Sequence, residues 1–274
     1  MIRTSLRPYY VLGSLLALSL AMASALGLMQ PAIYRPFMGD ALLIGLPVQD
    51  AVSLVVALGL IAAMVAAARG SLRALVIWAG LLVYCAYYDA FYVFDPAYTP
   101  VYPLYLAILG LAVYSLAGLL AGVDRARFAA QVDARMPARW IAVVLGMALL
   151  FIPIWGSKIA AGIAAQQPDE AHLVYTLDLA LMIPAMAFTA VQVWRRQPVG
   201  YLFSGVLLVK AALSGILLTA GSLRQMALGV AVPGAELGMY LFLAVPGLLG
   251  LAFYLRHLHE PEPARPRPHH HAIR

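Results

Sequence analysis

Residues 47–68 read PVQDAVSLVVALGLIAAMVAAA, and this stretch decides the class of fold. It is 22 residues long, and its only polar side chains, Gln49, Asp50 and Ser53, lie near one end. About 20 apolar residues in a helix cross the roughly 30 Å hydrocarbon core of a bilayer. Apolar residues occupy every face of such a helix, so a soluble fold could not cover it. The stretch therefore predicts a transmembrane helix with one acid inside it.

Seven further stretches have the same character. The chain of 274 residues is 64% hydrophobic and 11% charged, with a mean hydropathy of +0.87, whereas soluble domains carry about 25% charged residues. Backbone groups in lipid must bond within their own segment, so each stretch is expected to be an α-helix. The sequence predicts an all-α, polytopic transmembrane helical bundle of about eight spans: Tyr9 to Met29, Pro47 to Ala68, Leu72 to Phe94, Pro100 to Ala121, Arg139 to Ile163, Ala171 to Trp194, Val199 to Ala220 and Ala235 to Arg256.

Prolines mark the predicted ends and bends of these helices. In the first turn of a helix a proline costs little, because the N–H that it lacks would have no partner there. Inside a helix it removes a hydrogen bond and predicts a kink. Pro47, Pro100 and Pro198 fall at or just before predicted starts, and Pro153, Pro184 and Pro246 fall inside spans.

Basic residues predict the orientation, because short cytoplasmic loops carry an excess of Lys and Arg. With the N-terminus inside, 14 arginines lie in cytoplasmic segments, and only Arg35, Lys158 and Arg224 lie outside. We therefore predict a multi-pass membrane protein with both termini cytoplasmic. One alternative stays open. The basic start and the small residues Ala23-Ser24-Ala25 imitate a signal peptide, whose cleavage would leave seven helices.

The two halves of the chain resemble one another. From Asp50 to the Leu-Leu-Val triplet of the next helix is 31 residues, and from Asp178 to the corresponding triplet is 29. The match predicts a duplicated unit of four helices, with copies at residues 1–122 and 139–259. Because four is even, the copies would run parallel. The alternative is chance, since Leu and Val are abundant throughout the chain.

The last residues differ in composition from the helical domain, which is predicted to comprise residues 1–259. Residues 260–274 are rich in Pro, Arg and His and cannot bury enough apolar surface to fold, so we predict a disordered cytoplasmic tail. His269, His270 and His271 could hold a metal weakly, but adjacent histidines in such a tail usually reflect its polar composition. No metal site is predicted.

Four ionisable residues fall inside the predicted spans: Asp50, Asp89, Asp178 and Lys210. Each costs about 2.5–3.5 kcal/mol at a helix centre, so such residues usually face a bundle interior or a water-filled cavity and have a partner. A rise of 1.5 Å per residue places the three acids about 24–27 Å from the cytoplasmic ends of their helices, and the long Lys210 stem reaches the same level. They predict one polar layer in the outer half of the membrane, with Asp178 as the expected partner of Lys210.

Tyrosines surround Asp89 in the third span. Most are typical of an interfacial aromatic belt, but Tyr84 and Tyr88 lie deeper and are predicted to line a site.

Three acids against one lysine favour a small cationic or proton-linked solute over an anion. The alternative is that the charges only hold helices together. The predicted ligand-binding residues are Asp50, Asp89, Asp178, Lys210, Tyr84 and Tyr88.

Motifs for other functions are absent from the sequence. The single cysteine, Cys85, excludes an intrachain disulfide and a cysteine metal site. The scattered basic residues form no stripe that would bind nucleic acid. No phosphate-binding loop, nucleophile elbow or zinc-protease motif occurs. Neither a cofactor nor a catalytic residue is predicted, and an enzyme is not the expected class.

Three functions follow from these observations, in decreasing order of support. The first is binding or transport of a small solute or ion through the polar layer. The second is a structural or sensory subunit of the membrane whose partner membrane protein carries the activity. The third is an intramembrane enzyme that acts on lipid, with Asp89 or Asp178 as general base.

Three stretches carry a resemblance to a known family. They are residues 68–73 (ARGSLR), the tyrosine-rich segment from Tyr84 to Tyr105, and the segment from Leu177 to Lys210, which contains RRQPVGY and ends in LLVK. These stretches, roughly a third of the chain, resemble a family of bacterial polytopic inner-membrane proteins to which no function is assigned. The resemblance implies an eight-helix architecture and marks the Asp and Lys positions as characteristic. It implies no substrate.

Overall fold

The computed structural model describes residues 6–35, 40–95, 98–169 and 171–260. Eight of the helices in these ranges are long and apolar enough to cross a membrane. The described ranges contain no β-strand, and Val132 and Leu258 form only an isolated bridge. The predicted all-α bundle with eight spans is confirmed, and the chain is a multi-pass membrane protein.

Six spans are continuous α-helices. Two limits differ from the prediction, since span two begins at Asp40 rather than Pro47, and span seven ends at Ala227 rather than Ala220. Hydropathy detects only the part of a helix that lies in lipid. The helix itself continues, because each added residue gains one backbone hydrogen bond. The six helices are Arg7–Met29, Asp40–Ala68, Leu72–Phe94, Tyr102–Gly122, Pro198–Ala227 and Gly234–Arg256.

Spans five and six are each interrupted just before a proline. Pro153 and Pro184 have no N–H to offer the carbonyl four residues earlier, so the helix must rearrange there. The kinks expected at these two prolines take the form of irregular turns, whereas Pro246 lies within a continuous helix. Span five comprises Ala138–Gly146, a 3-10 turn at Met147–Leu150 and Phe151–Ala165; span six comprises His172–Leu177, a π-helical turn at Asp178–Met182 and Ile183–Trp194.

Spans three and seven form the centre of the bundle. In the most apolar 18-residue part of each of these two helices, 78% and 72% of the residues are buried, against 22–39% in the other six spans. The two helices pack closely because Gly80 has no side chain. A Cβ atom there would overlap Val209 and approach the carbonyl oxygen of Val206 to 2.9 Å. These two helices therefore carry the side chains that are shielded from lipid.

The helices of each half contact one another in the same order. Span one packs against spans two and four, and span three packs against the same two helices. In the second half, span five packs against spans six and eight, as does span seven. Span seven joins the halves through its contacts with spans two and three. This order is the one that a parallel duplication would produce, and the duplication itself stays a prediction.

The chain after span eight is held against the ends of other helices. Glu260 accepts hydrogen bonds from Ser71 Oγ at 2.7 Å and from the backbone N–H of Leu72 at 2.6 Å, at the start of span three. His259 Nε2 lies 3.4 Å from Asp133 Oδ2 in the loop before span five. These contacts join the end of span eight to the loops at the same end of the bundle. The rest of the predicted tail, residues 261–274, lies outside the described residues.

Candidate functional site

Asp178 lies at the first residue of the π-helical turn and accepts two hydrogen bonds. Tyr87 Oη donates to Oδ1 at 2.8 Å, and Trp155 Nε1 donates to Oδ2 at 3.1 Å. The donors come from spans three and five, so the carboxylate ties three helices together. Asp178, Tyr87, Trp155 and Lys210 are called the Asp178 cluster below.

Lys210 is 6% exposed, and its Nζ lies 3.7 Å from the centroid of the Tyr87 ring, whose hydroxyl donates to Asp178. No carboxylate oxygen among the described residues lies within 4.0 Å of this Nζ. The direct ion pair expected between Lys210 and Asp178 is therefore wrong. The negative face of the Tyr87 ring stabilises the ammonium, and the charge of Asp178 acts on it from a longer distance.

Asp50 lies on the other side of span three and has fewer partners. It is 4% exposed, and its Oδ2 forms no hydrogen bond with any described residue. The Tyr34 hydroxyl lies beside this carboxylate and is its one hydrogen-bonding neighbour, although the short hydrogen bond of Tyr34 is the one with Tyr105 Oη at 2.8 Å. The side chain can approach span one because Gly27 has no Cβ atom, which would overlap the carboxylate.

Asp89 is the nearest acid to Asp50. It is 5% exposed, and the charges of the two carboxylates act on each other. Within the described residues, no Lys or Arg nitrogen lies within 4.0 Å of either one. Asp50, Asp89, Tyr34 and Tyr105 are called the Asp50 cluster below.

Tyrosines on one face of span three connect the two clusters. The amide of Gln49, the neighbour of Asp50, donates to Tyr84 Oη at 3.4 Å. The rings of Tyr84 and Tyr88 lie 4.5 Å apart, and those of Tyr88 and Tyr87 meet edge to face at 5.0 Å. The six predicted site residues thus lie along one continuous row of polar and aromatic side chains.

Three important residues were not predicted. Trp155 lies about 24 Å from the start of its span, at the level calculated for Asp178, so the same count of helical rise could have found it. Tyr87 was assigned to the aromatic belt, although a spacing of three residues places it on the face of Tyr84. Tyr34 lies in a 3-10 turn after span one, Pro31–Tyr34, and no periodic pattern indicates its position.

Two buried hydroxyl groups near these clusters also have no partner among the described residues. Ser214 Oγ, one helical turn beyond Lys210, forms no hydrogen bond, and the Tyr88 hydroxyl that faces it does not reach hydrogen-bonding geometry. Thr219 Oγ1, further along span seven, is also unsatisfied. Buried polar atoms in native proteins are rarely left in this state. These two hydroxyl groups therefore keep the capacity to bind a further polar group.

A narrow apolar crevice lies beside the layer but is not lined by it. Leu208 and Ala211, which flank Lys210 along span seven, contribute to its wall together with Phe242 and Pro246. None of the six predicted site residues lines this crevice. The crevice therefore lies on the apolar side of span seven and does not open into either cluster.

No family model, no curated protein and no solved structure matches the chain. The resemblance to a family of bacterial inner-membrane proteins stays a prediction.

Proposed function

We propose that this protein binds a small cationic or proton-linked solute in the polar layer and carries it across the bacterial inner membrane. One observation carries the proposal, namely the unsatisfied Oδ2 of the buried Asp50. If the charges only held helices together, the buried polar groups would satisfy one another, since a half-satisfied polar network is worse than an apolar core. Asp50 Oδ2 has no hydrogen bond of good geometry among the described residues, and only the Tyr34 hydroxyl lies beside the carboxylate, which favours a site that a ligand or proton completes.

The π-helical turn at Asp178 gives further support. Such turns are rare, and single turns of this kind inside α-helices occur frequently at functional sites. The turn begins at the acid itself and is followed closely by Pro184. In span five, the 3-10 turn Met147–Leu150 contacts the part of span six that follows the π-helical turn, Ile183–Trp194. Two interrupted helices in contact are typical of membrane proteins whose irregular backbone lines a pathway.

The charges of the layer favour a cation. The layer contains three carboxylates and one ammonium group, and the ammonium lies over Tyr87 on the side of Asp178 rather than at the acid pair. The distribution of arginines supports a layer in the outer half of the membrane with both termini cytoplasmic. The site would therefore open toward the outside of the cell.

The structural or sensory subunit is the second candidate, and one observation favours it. The Asp178 cluster joins four spans through two hydrogen bonds and one cation–π contact, which is what a structural link requires. In this alternative a partner membrane protein carries the activity. A lipid-acting enzyme with Asp89 or Asp178 as general base ranks third, because neither acid forms a hydrogen bond with a serine, threonine or cysteine among the described residues.

Native mass spectrometry of protein purified from its membrane in detergent tests the proposal. We expect a small molecule bound to the wild type and lost from Asp50→Asn and from Lys210→Met. The matched control is Asp169→Asn, which makes the same change in an exposed loop where Asp169 contacts only Lys158 and nearby backbone. A bound species that survives in both layer variants would place the ligand elsewhere. Co-purification of a stable protein partner with no small molecule would favour the subunit.

A further inference from the structure

The Asp50 cluster contains two buried acids and no cation. Asp50 and Asp89 are 4% and 5% exposed, and each lies within the electrostatic influence of the other. Of the two lysines inside the spans, Lys210 faces Tyr87 on the side of Asp178, and Lys158 pairs with Asp169. Within the described residues, the pair therefore has no positive partner.

The other titratable side chains around the pair are neutral at physiological pH. They come from the turn after span one, from span three and from span four, and all are tyrosine or cysteine, which ionise only in alkaline solution. The tyrosine rings pack tightly, with Tyr92 stacked on Tyr105 at 4.3 Å. The charges of the pair act on Tyr34, Tyr84, Cys85, Tyr92 and Tyr105, and the Tyr34 hydroxyl is in turn a hydrogen-bonding neighbour of Asp50.

Two ionised carboxylates cannot persist in these surroundings. An isolated charge moved from water into an apolar interior is very costly, and such a group neutralises unless it is paired. Two like charges at close range add repulsion, so one of the two carboxylates takes a proton. The pair must therefore hold either a proton or a bound cation.

The geometry favours the proton over a metal ion. The described residues include no group of three or more His, Cys, Asp or Glu side chains that could hold a metal. Around Asp50 there is also little room. A single methyl group on Gly27 would overlap the Asp50 carboxylate and come within 2.5 Å of the Tyr34 hydroxyl oxygen. A proton needs no cavity, because it forms an O–H bond on a carboxylate oxygen that is already present.

We infer that Asp50 and Asp89 hold at least one proton between them at neutral pH and form a proton-binding site inside the membrane. The proton comes from water and returns to water, so no oxidant or other reactant is required. Its role as the ion that is coupled to solute movement rests on the proposed function. The presence of the proton does not.

Infrared spectroscopy of the whole protein in lipid tests this inference. A protonated carboxylic acid has its own C=O stretching band, which moves when water is replaced by heavy water. We expect such a band in the wild type at neutral pH and its loss in the double variant Asp50→Asn/Asp89→Asn. The matched control, Asp178→Asn, should retain the band, because Asp178 lies outside the Asp50 cluster and each of its carboxylate oxygens already accepts a hydrogen bond.

The wild-type spectrum alone can overturn the inference, so folding of the variants is not decisive. Absence of a protonated-acid band at neutral pH would mean that both acids are ionised and that an undetected cation neutralises them. A band that survives in the double variant would place the proton elsewhere. If the band is present and sensitive to both acids but no solute binds, the proton site stands and the proposed transport function fails. If a solute binds but the band is absent, the transport function stands and the proton site fails.

Discussion

The Asp50 and Asp178 clusters contain the same kind of acid at similar depth, yet their surroundings differ. Asp178 accepts one hydrogen bond on each oxygen, and a lysine lies behind the ring of one donor. Asp50 has an unsatisfied oxygen, another acid nearby and no cation among the described residues. The partners, not the depth, therefore decide what each carboxylate can do. Asp178 is suited to hold helices together through its hydrogen bonds, and Asp50 is the acid that binds a proton or cation in the proposals above.

The largest expected effect separates these two roles. We expect Asp178→Ala to lower the free energy of unfolding by about 2–4 kcal/mol, because two buried donors lose their acceptor. Asp50→Ala removes a side chain of the same size and leaves fewer groups unsatisfied, so its loss should be clearly smaller. Reversible denaturant unfolding in detergent measures both. Equal losses would mean that the two clusters do not differ in structural importance.

The next largest effect on stability is expected at Gly27, where the Asp50 carboxylate approaches span one closely. In Gly27→Ala, the added methyl group would overlap the Asp50 carboxylate and must displace it or the helix, at a cost of about 1–3 kcal/mol. Gly45→Ala is the matched control, since a Cβ there meets nothing within 4 Å. That change should be neutral or slightly stabilising. Thermal unfolding of both variants checks the prediction, and an unchanged stability in Gly27→Ala would contradict the tight packing around Asp50.

A smaller effect is expected on the motion of span five. Trp155→Phe keeps an aromatic ring but removes the hydrogen bond to Asp178, which is worth about 1 kcal/mol. Since the segment Phe151–Ala165 makes few other contacts with the bundle, we expect its amide hydrogens to exchange several-fold faster. Hydrogen exchange followed by mass spectrometry measures this. Trp140→Phe is the control, because Trp140 lies at the other end of the same span and packs against Phe253. Equal exchange in wild type and Trp155→Phe would show that Asp178 does not hold span five.

The smallest effect concerns the exposed loop between spans five and six. A hydrogen bond from Lys158 is the main cause that holds the pKa of Asp169 below its ordinary value. A lowered pKa in the folded state means that this pair stabilises the protein above the unfolded pKa, near pH 4, and that the contribution is lost as the pH falls through the lowered value. Both side chains are more than 40% exposed, so the contribution should be below about 1 kcal/mol.

Thermal unfolding of Asp169→Asn against the wild type at neutral and at strongly acidic pH measures that contribution. The difference between the two proteins should be small at neutral pH and vanish in acid. A difference that grows on acidification would mean that the folded-state pKa of Asp169 is raised instead.

The sequence by itself determined the membrane class, the number of spans and most of their limits. The physical reason is that lipid imposes one requirement on every segment, which is that about 20 apolar residues must satisfy their own backbone. The same requirement singled out Asp50, Asp89, Asp178 and Lys210, because an ionisable residue in such a segment is costly. The prolines indicated where spans five and six would depart from a regular α-helix. They did not indicate that one deviation would be a π-helical turn beginning at Asp178.

Only the tertiary structure decided which groups meet. Sequence distance along each helix gives a height but not a rotation about the bundle axis, so it could not separate the acids into two clusters. It also could not show that Tyr87 contacts both Lys210 and Asp178, or that Tyr34 reaches the layer from a turn. Hydrogen bonds depend on positions within a few tenths of an ångström. Those positions follow from how spans three and seven pack, and that packing is set by all eight helices together.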